Sequence, residues 1–333
     1  MTQEQIMKNW YMKNADVPLV SVICCTYNHE KYISDAIEGF LKQKTTFPFE
    51  VLVNDDASTD GTAAILHRYE KNYPNILKIF YHEINEYSQG VDIFGNLVRT
   101  ARGKYIAICE GDDYWIDSDK LQLQVNFLEK NPDYGMCYGR VKRYIQRKER
   151  FCHSKFGAQI KGFEDLLKNG NRIPTLTVCA RRELIDRYNE EIKPAEKHWL
   201  MGDYPMWLYI AHESKTKFFQ KDFAVYRILS ESASHSENPE KRIEFEKSII
   251  NMKLFFYKSY SPFPFYQKQE YFRIYALYYY LYGKKEYLSE MQFLYKSLKT
   301  PTTLDKFYIN ICRLPYPLYF FFYALKEIAK KVF

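Results

Sequence analysis

Three carboxyl groups crowd together at Glu110, Asp112 and Asp113, within the stretch GKYIAICEGDDYW. Carboxylates this close repel one another unless a cation sits beside them. Mg²⁺ and Mn²⁺ are the divalent ions that favour such oxygen ligands. The competing reading is a solvated acidic turn that caps a helix. Two further polar clusters sit at the ends of apolar runs: Thr26, Tyr27 and Asn28 after LVSVICC, and Asp55 and Asp56 after FEVLV.

The elements that would position these groups follow from patterning. Residues 105–109 form a short apolar run of buried-strand length that delivers the three acids to its end. Ser118 and Asp119 then offer an N-cap for a helix carrying Leu121, Leu123, Val125, Phe127 and Leu128. Residues 19–25 are continuously apolar, which suits a parallel strand covered on both faces. Residues 32–43 have helical spacing, with Ile33, Ala36, Ile37, Phe40 and Leu41 on one side. A second strand is expected over 49–53, a helix over 62–73, a third strand over 77–81 and a short helix over 94–102. Strands alternating with helices predict an α/β fold with a parallel, doubly wound sheet. Right-handed crossovers would bring the three polar clusters to one edge, where open α/β sheets hold ligands.

Beyond the acids, residues 135–138 read as a strand, 141–155 as a basic irregular stretch, 162–169 as a helix, 175–180 as a strand and 182–191 as a helix. From residue 241 onward the pattern is helical, over 243–260, 267–282, 285–298 and 304–312. The tyrosines of the second of these helices read as packing rather than as a stacking site for ligand.

Composition narrows the class. The chain has 333 residues, 46% hydrophobic and 27% charged, which is globular and longer than one ordinary domain. A net charge of +7, with no Lys/Arg block of the nucleic-acid kind, favours anionic lipid or phosphorylated ligands over nucleic acid. The 7 cysteines include no CxxC pair, so no zinc site is expected. The first residues lack a signal-peptide core and no run approaches a membrane span, so a cytoplasmic location is expected.

The runs SVICCTYNHEKYISDAIEGFLKQ, FEVLVNDDASTDGT and GKYIAICEGDDYW, taken together, resemble the N-terminal half of family 2 glycosyltransferases of the GT-A fold. The resemblance covers residues 18–140. It implies a GT-A catalytic domain over 18–235, with a nucleotide-binding half to residue 140 and an acceptor half from 141. It also implies a lead over 1–17 and a helical region over 236–333. A nucleotide-diphosphate sugar, with UDP favoured, would be the donor. Thr26, Tyr27 and Asn28 would lie by the base and ribose, and Asp56 would hydrogen-bond the base. Asp112 and Asp113 would form the DxD-like element, with Asp113 on Mn²⁺ or Mg²⁺ and Asp112 on ribose or metal. A carboxylate at Asp56 can accept from the imide N–H of uracil, and a divalent ion would offset charge growing on the leaving diphosphate.

WLMGDYPMWLYIA is similar to the segment that carries the family's catalytic base, and Asp203 is the matching position. The family often has Glu-Asp there, whereas this chain has Gly202-Asp203. The bland alternative is a helix N-cap, which Pro205 would suit. A basic residue often precedes the asparagine of the NEYSQGVDIFGN segment; here Gly95 stands in its place. Arg227 would be a further diphosphate contact. Relatives often carry histidine where this chain has Leu229, and His235, a few residues on, would reach metal or phosphate. The aromatic and lysine-bearing residues 314–333 suit a helix at a membrane interface. The acceptor would be a glycan or lipid-linked saccharide of a bacterial surface polysaccharide, and transfer would invert the anomeric centre. A nicotinamide dehydrogenase is disfavoured, since no GxGxxG follows the first strand. A nucleotidyltransferase is disfavoured because its glycine-rich basic loop is missing. The rival of another class is a non-catalytic nucleotide-sugar or glycan-binding protein of the same fold.

Overall fold

Valine, isoleucine and cysteine dominate Val20–Thr26, and every apolar side chain there but that of Cys25 is buried. β-branched residues are stiff at χ1 and pack well in a sheet covered on both faces. The computed structural model describes residues 1–10, 17–229, 238–263, 267–312 and 314–318. Among them the chain forms two compact units. One comprises residues 1–198 and 202–230; the other joins 199–201 to the chain from 231 onward.

The first unit runs α1 (Gln3–Met7), β1 (Val20–Thr26), α2 (Ile33–Leu41), β2 (Phe49–Asp55), α3 (Thr62–Asn72), β3 (Leu77–Tyr81), α4 (Ile93–Thr100) and β4 (Tyr105–Ile108). It continues through β5 (Tyr114–Trp115), α5 (Lys120–Lys130), β6 (Tyr134–Ile145), β7 (Arg150–Phe151), α6 (Phe163–Asn169), β8 (Cys179–Arg181), α7 (Arg182–Ile192), α8 (Asp203–Glu213) and β9 (Lys215–Ile228). The sheet order is β3-β2-β1-β4-β8-β6-β9-β5, with β7 paired to β6. β1 to β4 are mutually parallel, β8 runs antiparallel between β4 and β6, and β6 lies parallel to β9.

The parallel register decides where the polar clusters fall. Thr26 pairs with Asp55, and Ile23 with Ile108. The chain beyond β4 therefore continues beside the end of β1, where Gly111 N–H donates to the Cys25 carbonyl at 3.0 Å. At the opposite end of the strands, buried Glu50 accepts from Ser21 Oγ (2.6 Å), Arg102 N (2.8 Å) and Arg102 Nη2 (2.7 Å). That network ties β2 and β1 to the entry of β4. The Phe40 and Trp115 rings meet edge-on at 4.8 Å, and Ile6 and Trp10 from the N-terminal stretch join the same core.

Several expectations change. The basic stretch expected to be irregular is ordered: β6 continues to Ile145, pairing with Asp222–Ile228 of β9. The charged side chains that hid this strand point outward while its backbone is paired. Residues 175–180 are not one strand; Thr175–Thr177 is a 3₁₀ turn, and only Cys179–Arg181 pairs. Thr177 Oγ1 bonds the Pro174 carbonyl at 2.7 Å, holding that turn closed. Neither expected cap works through its side chain at α5. Asp119 is the N-cap residue without a side-chain bond, and its N–H donates to Asp117 Oδ1 at 2.9 Å.

The second unit contains α9 (Pro239–Tyr260), α10 (Gln267–Tyr282), α11 (Lys285–Lys296) and α12 (Thr303–Ile311). Tyr278, Tyr279, Phe272, Tyr287, Met291 and Tyr308 form its core, so these aromatics pack helix on helix. No helix of the described residues is long and apolar enough to cross a membrane. Of residues 314–333, expected at a membrane interface, all beyond 318 lie outside the described residues.

Candidate active site

At the end of β1 the backbone turns sharply. Asn28 and Ala57 both adopt left-handed conformations, at φ 55° and 61°. Asn28 Oδ1 accepts from Thr59 N at 2.8 Å, and Asn28 N donates to Ser58 Oγ at 2.9 Å. Ser58 Oγ in turn donates to Asp55 at 2.5 Å. Asn28 and Asp55 thus bolt two loops together, so the Asn28 side chain is spent on structure. Tyr27 remains 43% exposed, with its ring open to a ligand. Thr26 is buried, and its hydroxyl lies 3.1 Å from His29 Nδ1.

His29 carried no role in the sequence reading, yet it lines this corner. Burial lowers its pKa, against the opposing pull of Asp112 and Asp60, so a neutral imidazole faces the acids.

Asp56 is 1% exposed, and both its carboxylate oxygens are occupied. Oδ1 accepts from Glu86 N at 2.8 Å and Oδ2 from Tyr87 N at 3.1 Å. The carboxylate expected to meet a base therefore holds the 86–87 backbone. A carboxylate oxygen has two lone pairs, so one acceptor position on each remains.

Next comes the acidic turn. A Cβ on Gly111 would stand 2.6 Å from Thr26 Oγ1, so only glycine lets the turn lie this close to β1. Asp113 is 2% exposed and its Oδ1 accepts from Arg227 N at 2.7 Å. Arg227 Nη1 donates to the Asp112 carbonyl at 2.7 Å, and Nη2 pairs with Asp35. Its guanidinium also lies over the rings of Tyr114 (4.4 Å) and Tyr32 (5.1 Å). Arg227, expected to contact diphosphate, is tied to both acids of the turn and to Asp35. Burial, then Asp112 and Glu110, raise the Asp113 pKa. Glu110 is raised to about 7 by burial first, then by Asp112, with Asp203 adding to it.

Among the described residues no three His, Cys, Asp or Glu side chains are arranged to hold a metal. The donor set at Asp112 and Asp113 nonetheless suits Mg²⁺ or Mn²⁺, which bind through one or two carboxylates and complete their shell with phosphate and water. Crowded acids with raised pKa values are what such an ion relieves.

Asp203 opens α8, directly after Gly202. Its Oδ1 accepts from Tyr204 N at 2.7 Å; its Oδ2 accepts from Thr175 Oγ1 and, weakly at 3.5 Å, from Asn171 Nδ2. The Trp207 indole N–H, one turn on, is buried without a bond of proper geometry but still favours the ionised form. Burial outweighs these donors and raises the Asp203 pKa. Thr175 and Asn171 were not singled out from sequence; no local pattern links them to residue 203.

Electrostatic coupling shows which groups share the space. Asp203 and Asp112 both act on Glu110. Glu110, Asp92 and Asp56 all act on Cys25. Asp92 and Asp203 both act on Tyr188, whose buried hydroxyl has no hydrogen-bond partner. Asp203 and the acidic turn therefore lie within electrostatic reach of each other beyond β4, and Asp56 and the acidic turn both lie near Cys25 at the end of β1. A side chain at Gly95 would displace the Asp92 carboxylate, which accepts from Gly95 N at 2.9 Å. His235 lies outside the described residues.

Residues 21–204 match the family model described as Glycosyl transferase family 2. The chain is 30% identical over 234 residues to the UDP-Glc:alpha-D-GlcNAc-diphosphoundecaprenol beta-1,3-glucosyltransferase WfgD of Escherichia coli, covering 70% of this chain and 85% of that protein. It is 29% identical over 236 residues to the putative teichuronic acid biosynthesis glycosyltransferase TuaG of Bacillus subtilis, covering 69% and 85%. An uncharacterized protein of Mycobacterium tuberculosis is 41% identical over 124 residues, 37% of this chain; the match spans only 35% of that relative's length. Among solved structures, TarS 1-349 of S. aureus in complex with UDP-GlcNAc aligns with TM-score 0.55 at 20% identity, over 83% of this chain and 79% of that one. The mannosyltransferase PcManGT of Pyrobaculum calidifontis, in complex with GDP-Man and Mn²⁺, aligns with TM-score 0.50 at 19% identity, over 97% and 93%. These structural likenesses establish the fold, which is the expected GT-A glycosyltransferase fold with a helical C-terminal region.

Proposed function

The chain belongs to glycosyl transferase family 2, and from that premise we propose that it moves a sugar from a nucleotide-diphosphate donor, UDP-linked by preference, to an acceptor hydroxyl with inversion. The observation that carries this reading is the proximity of Asp203 to the acidic turn, close enough for it to raise the Glu110 carboxyl. Relatives named for teichuronic acid and diphosphoundecaprenol-linked saccharides support a lipid-linked or surface-glycan acceptor.

In this reading Asp203 takes the proton of the acceptor hydroxyl. The acceptor oxygen forms a bond to the anomeric carbon on the face away from the leaving group. The bond from that carbon to the diphosphate oxygen breaks, and the electron pair leaves with the nucleotide. Mg²⁺ or Mn²⁺, held by Asp113 and Asp112, would stabilise the charge gathering on the departing diphosphate. Tyr27 offers a surface to the base, and Thr26 closes the floor beneath it. Arg227 holds Asp113 and the Asp112 carbonyl in place. Residues 314–333 would rest on the cytoplasmic face of the membrane.

Asp203→Asn tests the assignment. It keeps the size and shape of the side chain but cannot take a proton, so donor binding persists while transfer falls by about a hundredfold or more. If wild type binds a UDP-sugar yet neither transfers nor hydrolyses it with any acceptor, the protein is a binding module and the reading fails.

A further inference from the structure

The positive charge of this chain is gathered in one place. Residues 140–155 hold seven lysines and arginines against a single acid, Glu149, so most of the chain's net +7 resides there. Three of the seven are spent internally. Arg140 and Lys155 pair with Asp222 at 2.9 and 2.6 Å, and Arg143 donates to Ser154. Lys142, Arg147, Lys148 and Arg150 are all exposed.

These four sit on a stiff scaffold. β6 runs out to Ile145, a 3₁₀ turn spans Gln146–Lys148, and Glu149 reverses the chain with φ 46°. β7 then pairs back, Ile145 with Arg150 and Tyr144 with Phe151. Next to Arg150, Phe151 is 50% exposed, its ring set edge-on to Tyr144 at 5.0 Å, and Phe156 is 37% exposed. The tip therefore presents cations and apolar rings together.

The hairpin also has a defined relation to the acidic turn. Tyr144 pairs with Arg227, the residue whose N–H holds Asp113 and whose side chain holds the Asp112 carbonyl. The basic tip thus rises from the same end of the sheet as the acidic turn.

We propose that this hairpin docks the protein on an anionic bilayer surface. Guanidinium and ammonium groups would meet lipid phosphates, while the ring of Phe151 enters the interfacial region. A soluble polyanion would use the cations but leave the phenyl rings in water, which is why the bilayer is the better match. Docking there brings the end of the sheet that carries the acidic turn toward the lipid headgroups. The inference stands apart from the assignment of Asp203, because vesicle binding needs no turnover.

The test is co-sedimentation of the full chain with vesicles of phosphatidylcholine alone or mixed with phosphatidylglycerol. Wild type binds only the mixed vesicles. Each cation near such a surface is worth about a fivefold change in partitioning, so Arg147→Gln/Lys148→Gln/Arg150→Gln lowers binding by about a hundredfold. Phe151→Ser weakens binding that persists at raised salt. All four residues are exposed, so unfolding midpoints stay at the wild-type value and confirm intact variants. The proposal is overturned if wild type ignores anionic vesicles, or if the triple variant binds as well as wild type. It is equally overturned if Phe151→Ser leaves binding unchanged while soluble polyphosphate removes it, which would make the partner a polyanion in solution.

Discussion

Replacing Thr175 by valine removes the hydroxyl that donates to Asp203 and changes little else in volume. That hydroxyl is the strong donor to Asp203 Oδ2; Asn171 Nδ2 reaches the same atom only at 3.5 Å, and Tyr204 N serves Oδ1. A hydrogen bond to a charged group contributes about 1.5 to 3 kcal/mol. Most of it favours the ionised carboxylate, and one pKa unit corresponds to about 1.4 kcal/mol. The Asp203 pKa, already raised by burial, should therefore climb by about one to two further units. A base must be ionised to accept a proton, so the loss falls on the acid side. The acid limb of kcat/KM against pH moves up by about one to two units, and the alkaline plateau is kept. The assay is UDP-sugar transfer or hydrolysis across about pH 5 to 9. Thr175→Ser keeps the donor and should keep the wild-type limb. A uniform loss at every pH, or an acid limb that does not move in Thr175→Val, would refute the reasoning.

Asp203→Asn also carries a stability prediction. A carboxyl whose folded pKa lies above its unfolded value stabilises the protein below the unfolded pKa, and that contribution is lost as pH rises through the folded pKa. The asparagine variant, free of a desolvated charge, should therefore unfold at a higher temperature than wild type at pH 7, and a calorimetric scan decides it. Asp113→Ala should abolish the part of the UDP-induced rise in unfolding temperature that depends on Mn²⁺; at a hundredfold excess over Kd that ligand would stabilise wild type by about 2.7 kcal/mol. Lys120 is fully buried, its Nζ has no hydrogen-bond partner, and it lies 4.0 Å from the Trp115 ring centroid. Burial lowers its pKa from 10.5 to about 8, so wild-type stability should rise with pH from about 8 toward 10.5. Lys120→Met should lack that rise and be as stable as wild type or more so, by about 1 to 3 kcal/mol, at neutral pH. Urea titrations at two pH values measure both effects.

What the sequence made legible was whatever is written locally. Uninterrupted apolar runs such as VSVICC and FEVLV announced buried parallel strands, and topology then brought their polar ends together. What stayed hidden depended on partners far along the chain. β6 beyond Gly139 reads as charged and loop-like, yet its pairing with β9 makes it a strand. Arg227 was read as a diphosphate contact, and nothing near it in sequence reveals its bonds to Asp35 and the Asp112 carbonyl. Thr175 lies in an ordinary apolar stretch, and only the fold carries its hydroxyl to Asp203. Asp56 was legible as an important acid, but its bonds to the 86–87 backbone were not, since that segment has no regular pattern.

Those two bonds bear on how long a nucleotide would stay. Asp56 already satisfies two main-chain amides, so a uracil imide must share its oxygens or displace one of them. The gain on arrival would then be smaller than a free carboxylate would give, and a spent nucleotide would be held for a correspondingly shorter time. On that account nucleotide residence times should lengthen when the 86–87 segment is drawn away from Asp56.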